Sequence, residues 1–311
     1  MRKIQYCAPA KIIFSGEHAV VYGKPALVSA INLHLTFSVW DAKKEIQDKN
    51  ILFIAKTIQE YLKKKKYPII KTDYNYSVQS TIPIGRGLGS SAAFSVASSA
   101  TFLEYFSGRQ FQKEEINNVG YQIEKQFHSR PSGVDTSASC FGGLIYFRKE
   151  FEFLKTISNL HIKIPQNIEN NLYLIDSGKP HESTSEMVET VGQKYNKSSK
   201  VMDILFSEIE KTTKRLVVSL VKEDGIFFQK TIAENESLLE EIGVVSKHTE
   251  QLLCLLKEYG VGKVTGAGGK KNGSGYILFY HLNGKDIEEK CKKLQIPCIK
   301  FVSEYEGVTK I

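Results

Sequence analysis

The chain has 311 residues, long enough for two domains, because single hydrophobic cores stop growing near about 250–300 residues. With 41% hydrophobic and 24% charged residues, 23 glycines and only 8 prolines, the composition is ordinary for a globular protein and excludes collagen-like, disordered and disulfide-scaffold chains. Its 42 Lys and Arg against 34 Asp and Glu leave a charge of +8, which calls for either a solvated basic surface or a polyanionic partner.

At the N-terminus two early cations precede an apolar stretch, but Gln5, Pro9, Lys11 and Glu17 interrupt it before a signal-peptide core of about 7 residues can form. The uncharged run 87–103 is filled with Ser, Gly and Ala, too weakly apolar for a membrane span. Five cysteines, Cys7, Cys140, Cys254, Cys291 and Cys298, are scattered without a C-x-x-C pair and fit reduced thiols. A cytoplasmic protein with no membrane partner is the expectation.

Strand-like runs rich in Val, Ile, Phe and Tyr occur at 35–40, 74–80, 144–148, 172–176, 276–280 and 296–301. Between them, Ile116, Val119, Ile123 and Phe127 mark one face of a helix over 113–127, with Glu124 beside that face. Longer helical patterns cover about 185–220 and 231–258. The polar stretch 151–166, charged and then carrying Pro165 ahead of a fresh strand, is the expected boundary, dividing the chain into domains 1–160 and 161–311. Lysine clusters at 63–66 and 290–293 lie among Glu and apolar positions and read as solvated helix faces. No RNP-type motif or zinc-finger spacing is present, so no nucleic-acid partner is expected. A nucleoside triphosphate is the alternative sink for the positive charge.

The densest chemical signal is Pro83-Ile-Gly-Arg-Gly-Leu-Gly-Ser-Ser-Ala-Ala93. Gly85, Gly87 and Gly89 permit close backbone approach and positive φ, Ser90 is a favoured N-cap, and a helix that starts here would gather N–H groups into an anion site. A glycine turn leading into a tightly packed Ala/Ser helix is the alternative for this segment alone. The Walker pattern is absent, the dinucleotide fingerprint is met only loosely, and a nucleophile elbow fails at Ala93. Two further segments bear on the choice. Ala8 to Ala26 sets Lys11, Glu17 and His18 into an apolar strand and turn, an awkward place for charge unless it faces a site. Val264-Thr-Gly-Ala-Gly-Gly-Lys-Lys-Asn-Gly-Ser-Gly-Tyr276 is a second glycine loop ahead of a strand. The seven histidines lack metal-binding spacing.

Together with Pro131-Ser-Gly-Val-Asp135, these segments resemble the signature motifs of the GHMP kinases, and most of all the mevalonate kinase branch. The resemblance implies an α+β two-domain GHMP kinase fold, with a ribosomal protein S5 domain 2-like N-terminal domain and a ferredoxin-like C-terminal domain around a cleft. It implies ATP and Mg²⁺ as cofactors and phosphorylation of the mevalonate 5-hydroxyl on the route to isoprenoids. A sibling small-molecule kinase (phosphomevalonate, the mevalonate 3-hydroxyl or a sugar) and a silent ligand sensor on the same fold are the alternatives. Homodimers occur in the family.

Carried over residue by residue, the resemblance assigns ATP to Pro83, Gly85, Arg86, Gly87, Leu88, Gly89, Ser90, Ser91 and Ala92, with Gly266, Ala267 and Gly268 supporting the phosphates. It assigns Mg²⁺ to Ser90, ahead of Ser91, and to Glu124, eleven residues before Asp135. Asp135 becomes the base toward the substrate hydroxyl, with Lys11 stabilising the alkoxide. Substrate contacts fall to Glu17, His18, Gly133 and Thr184. Two departures stand out. Glu182 occupies a place where a small or basic residue is usual, leaving Lys179 or His181 to compensate, and the third glycine loop is longer by two residues, with Lys270 and Lys271 reaching either anions or solvent.

Overall fold

The computed structural model, which describes residues 3–42, 46–127, 131–151, 154–282 and 286–311, builds two antiparallel sheets. The strands are β1 (Ile4–Ser15), β2 (Ala26–Trp40), β3 (Asn75–Ser80), β4 (Leu144–Lys149), β5 (Lys155–Leu160), β6 (Leu172–Asp176), β7 (Gly260–Val264), β8 (Tyr276–His281), β9 (Cys298–Lys300) and β10 (Thr309–Lys310). The helices are α1 (Lys49–Lys64), α2 (Ser90–Ser107), α3 (Lys113–Phe127), α4 (Val134–Phe141), α5 (Gln166–Glu169), α6 (Thr184–Lys197), α7 (Ser199–Val221), α8 (Gly225–Ile242), α9 (Lys247–Leu256) and α10 (Ile287–Lys293).

The first sheet has the order β10-β1-β2-β4-β5, and β3 also pairs with β2. Long β2 serves two neighbours on one edge: Ala26 to Ser29 pair with β4, and Leu35 to Trp40 with β3. Between them the backbone at Ala30 and Asn32 bonds to Gly143, Val302 and Glu304. The second sheet, β7-β8-β6-β9, draws its strands from residues 172–300. Thr309 and Lys310 return to pair with β1, so the chain end is sewn into the first sheet.

Helix α2 is buried almost along its whole length. Its composition explains how: alanines let it lie close to neighbours, and Ser98, Ser99, Thr101 and Ser107 donate back to carbonyls four residues earlier, so no hydroxyl is buried unpaired there. Phe14 of β1 meets Phe228 of α8 and Phe301 edge-on at 5.9 and 6.0 Å, which makes the core continuous between the two sheets.

Several elements differ from the sequence expectation, among them β7 and the first part of β2, which were not read as strands. The stretch 151–166 contains β5, an edge strand whose mostly polar residues (Lys155, Thr156, Ser158, Asn159) carry little of the apolar signal by which strands are read. The region 185–220 is two helices, broken at Ser198, whose φ of −146° is not helical. The region 231–258 is likewise two: Gly243 closes α8 in the left-handed conformation, and Ser246 opens α9 by accepting the Thr249 N–H. Among the described residues no helix is long and apolar enough to cross a membrane.

Candidate active site

The glycine loop ends in Gly89, at φ 76°, immediately before α2. A β-carbon at Gly89 would stand 2.9 Å from Lys11 Cγ, so only glycine lets the Lys11 stem pass under the helix start. Lys11 is held from the other side too, its N–H donating to the Leu88 carbonyl at 3.0 Å. Its ammonium reaches Asp135 Oδ1 at 3.0 Å. Asp135 lies in the first turn of α4, where helix N–H groups point outward with positive potential.

Glu124, from the buried face of α3, accepts the Ser91 and Ser95 hydroxyls, each at 2.8 Å. The hydroxyl in contact with Glu124 is thus that of Ser91, while Ser90 lines the cleft at the first helical position.

The second glycine loop, between β7 and β8 of the second sheet, closes the site from the opposite side. A β-carbon on Gly87 would sit 2.6 Å from the Thr265 carbonyl oxygen, and one on Gly266 would sit 3.0 Å from the Gly87 oxygen: the loops touch backbone to backbone. Thr265 Oγ1 accepts the Ile13 N–H at 2.7 Å, and the Tyr276 N–H donates to the Arg86 carbonyl at 3.1 Å. His18 Nε2 lies 2.9 Å from the Ala267 carbonyl oxygen. Burial lowers the His18 pKa, against the raising effect of that carbonyl, so the neutral ring carries its proton on Nε2. His18 also holds a positive φ of 58° without being glycine, a strained conformation of the kind that gathers at functional sites.

These residues surround one cleft of about 520 Å³. Of the sequence-predicted residues, Lys11, Glu17, His18, Gly85, Gly87, Gly89, Ser90, Ser91, Glu124, Gly133, Asp135, Thr184, Gly266, Ala267 and Gly268 line it. Pro83, Arg86, Leu88 and Ala92 are not among the lining residues. Leu88 and Ala92 are buried in the core, and the Arg86 guanidinium is ion-paired to Asp176, so these side chains shape the loop from outside the cleft.

Sequence reading missed the partner of Glu17. Lys263, wholly buried on β7, forms an ion pair with Glu17 and donates to the Ile13 and Val264 carbonyls at 3.2 and 2.7 Å. Burial pushes the Glu17 carboxyl up, and Lys263 works against that. Glu236 of α8 accepts the Val264 N–H at 2.8 Å, and burial raises its carboxyl to about 8. A lysine inside the strand run before the glycine loop was the available signal, the same signal that marked Lys11.

The profile of the GHMP kinases N terminal domain matches residues 51–143, a span that holds the first glycine loop, Glu124 and Asp135. A mevalonate kinase of Archaeoglobus fulgidus is 32% identical over 276 residues, 84% of this chain and 88% of that protein. The chain belongs to the mevalonate kinase family. A second family member, the mevalonate kinase of Pyrococcus abyssi, is 29% identical and covers 86% of this chain and 87% of its own. The crystal structure of the Methanococcus jannaschii mevalonate kinase superposes with a TM-score of 0.77 at 23% identity, covering 97% of this chain and 98% of that one. The family fold therefore extends over both sheets, as the α+β GHMP kinase architecture requires.

Proposed function

We propose that this chain is an ATP-dependent mevalonate kinase that transfers the terminal phosphoryl group of ATP to the 5-hydroxyl of mevalonate, yielding 5-phosphomevalonate and ADP on the route to isoprenoids. The observation that carries the reading is the buried Lys11 ammonium 3.0 Å from Asp135, beside the N-terminus of α2, in a chain of this family.

Asp135 accepts the proton of the attacking hydroxyl, and Lys11 holds the carboxylate in place and offsets charge on the developing alkoxide. The N–H groups at the start of α2 bind phosphate oxygens, and the glycines leave room for them. His18, with its proton committed to Ala267, presents Nδ1 as an acceptor, and with Glu17, Gly133 and Thr184 it forms the acceptor end of the cleft. Positioning and charge neutralisation dominate phosphoryl transfer, so a modest base suffices.

The donor set fits Mg²⁺: the nearly buried Glu124 carboxylate and Ser90 both line the cleft, and this cation needs only one or two carboxylates besides phosphates and water. Glu124 and Ser90 would hold it, and bound there it would neutralise phosphate charge. We take residues 1–160 and 161–311 as the two lobes, a reading supported by the two separate sheets, with the final strand returning to the first.

ADP release measured against mevalonate, 5-phosphomevalonate, galactose and homoserine, with Asp135→Asn alongside, tests the reading. Asp135-dependent turnover with mevalonate is expected. Turnover confined to another acceptor reassigns the substrate, and no Asp135-dependent turnover with any of them removes the kinase function.

A further inference from the structure

The second lobe brings a lysine to the phosphate loop. Lys179 lines the cleft on the exposed segment between β6 and α6, and its side chain lies over Gly85: a β-carbon built there would stand 3.3 Å from Lys179 Cε and 3.9 Å from Nζ. Lys11, the other lysine in the cleft wall, is ion-paired to Asp135. Lys179 has no ion pair among the described residues. The acidic neighbours on its own wall are engaged elsewhere: Glu186 closes a capping box with Ser183, and Glu182 accepts backbone N–H groups from Lys270 and Lys271 at 3.1 and 3.4 Å.

That last contact gives the lengthened glycine loop a task. Besides gripping Glu182, the loop bridges Asn272 to Pro180, and the Gly275 N–H donates to the Gly178 carbonyl at 3.0 Å. Lys179 therefore sits on a segment tied to the loop on both sides of it, at Gly178 and at Pro180 and Glu182. The Lys270 and Lys271 side chains are exposed and do not line the cleft, so the loop acts through its backbone.

We propose that Lys179 is a phosphoryl-binding residue, supplied by the second lobe and braced by the lengthened glycine loop, that contacts the terminal phosphate of a nucleoside triphosphate. This deepens the kinase reading and rests on it. An ammonium is a compact charge with three rotatable donors, suited to follow a phosphoryl group whose charge spreads over its equatorial oxygens. With Lys11 on the acceptor side, the group in transit would be flanked by a cation from each lobe.

The test is calorimetric titration of ATP and of ADP, without acceptor, into the wild type, Lys179→Met, Lys179→Arg and Glu182→Ala, followed by steady-state kinetics. A charge-assisted hydrogen bond is worth about tenfold to a hundredfold in affinity. Lys179→Met is expected to lose that much for ATP and far less for ADP, with Lys179→Arg keeping most of it. Glu182→Ala is expected to shift in the same direction by a smaller factor, as a positioning residue should. Lys179 is exposed, so an unchanged Tm shows that the variant is folded. Wild-type ATP affinity in Lys179→Met, an equal loss for ATP and ADP, or a defect confined to the acceptor KM each overturns the proposal. The titration contains no acceptor, so its outcome does not depend on whether mevalonate is the substrate.

Discussion

The Lys11 ammonium, 2% exposed, faces the Asp135 carboxylate, 36% exposed, across 3.0 Å and ties the first strand to the first turn of α4. One partner is locked inside the first lobe and the other opens to the cleft. The pair is placed to act as a unit: the lysine fixes where the carboxylate points, and the carboxylate is the reason a lysine is tolerated at that depth.

Asp135→Asn should lower kcat by about 10²–10⁴-fold while moving the acceptor KM little, because it removes a proton acceptor and leaves the shape. Lys11→Met should lower kcat as well. In a double-mutant cycle the two losses should not add, and the double variant should be little slower than the slower single. Full additivity in steady-state kinetics would show that the residues act independently.

Two glycines fix the geometry and are separable. At Gly87 a side chain would meet the Thr265 carbonyl at 2.6 Å, and at Gly89 it would meet the Lys11 stem at 2.9 Å. Both hold positive φ, so alanine costs about 1–2 kcal/mol in either place from backbone conformation alone. Gly87→Ala should lower Tm more, since a backbone carbonyl must move, and should loosen the contact between the loops. Gly89→Ala should spare more stability and lower kcat by displacing Lys11. Equal Tm losses with unchanged kcat in Gly89→Ala would refute this division.

The first glycine loop and Lys11 were legible in the sequence because a charge in an apolar strand and glycines before a small-residue helix are costly unless they face a site, whereas Glu124 and Asp135, on helices, were picked out only by the resemblance to the family motifs. The strands with apolar cores, such as 172–176 and 276–280, were legible for the same reason of burial. What escaped was set by partners remote in sequence. Edge strand β5 has almost no apolar signature, and the pairing of Glu17 with Lys263 spans 246 positions, so a lysine in an apolar run could be noticed but its partner could not be named. The Glu182 brace could not be seen either, since its partners are the backbone N–H groups of Lys270 and Lys271.

Glu236 gives stability a pH dependence of known sign. Burial raises its carboxyl to about 8 from an ordinary 4.5, so between these values the folded chain keeps a proton that the unfolded chain releases. Stability from this group is greatest below pH 4.5, falls as pH rises toward 8, and is level beyond. Glu236→Gln removes the titration but keeps an acceptor for the Val264 N–H. Its Tm relative to wild type should therefore climb between pH 5 and pH 8, and a difference constant across that range would contradict the assignment.

The Glu17–Lys263 pair joins the first lobe to the second with both side chains wholly buried. Removing one charge leaves the other buried without its partner, which costs about 3–5 kcal/mol for a buried pair. Lys263→Met should destabilise by that amount in urea denaturation. Lys263 also donates to the Ile13 and Val264 carbonyls, so part of the loss comes from acceptors left bare. Neutralising the stranded partner distinguishes the two sources: the double variant Glu17→Gln, Lys263→Met should regain a substantial part of the lost stability if the isolated carboxylate dominates. If the double variant is as unstable as Lys263→Met alone, the carbonyl contacts carry the effect and the ion pair adds little.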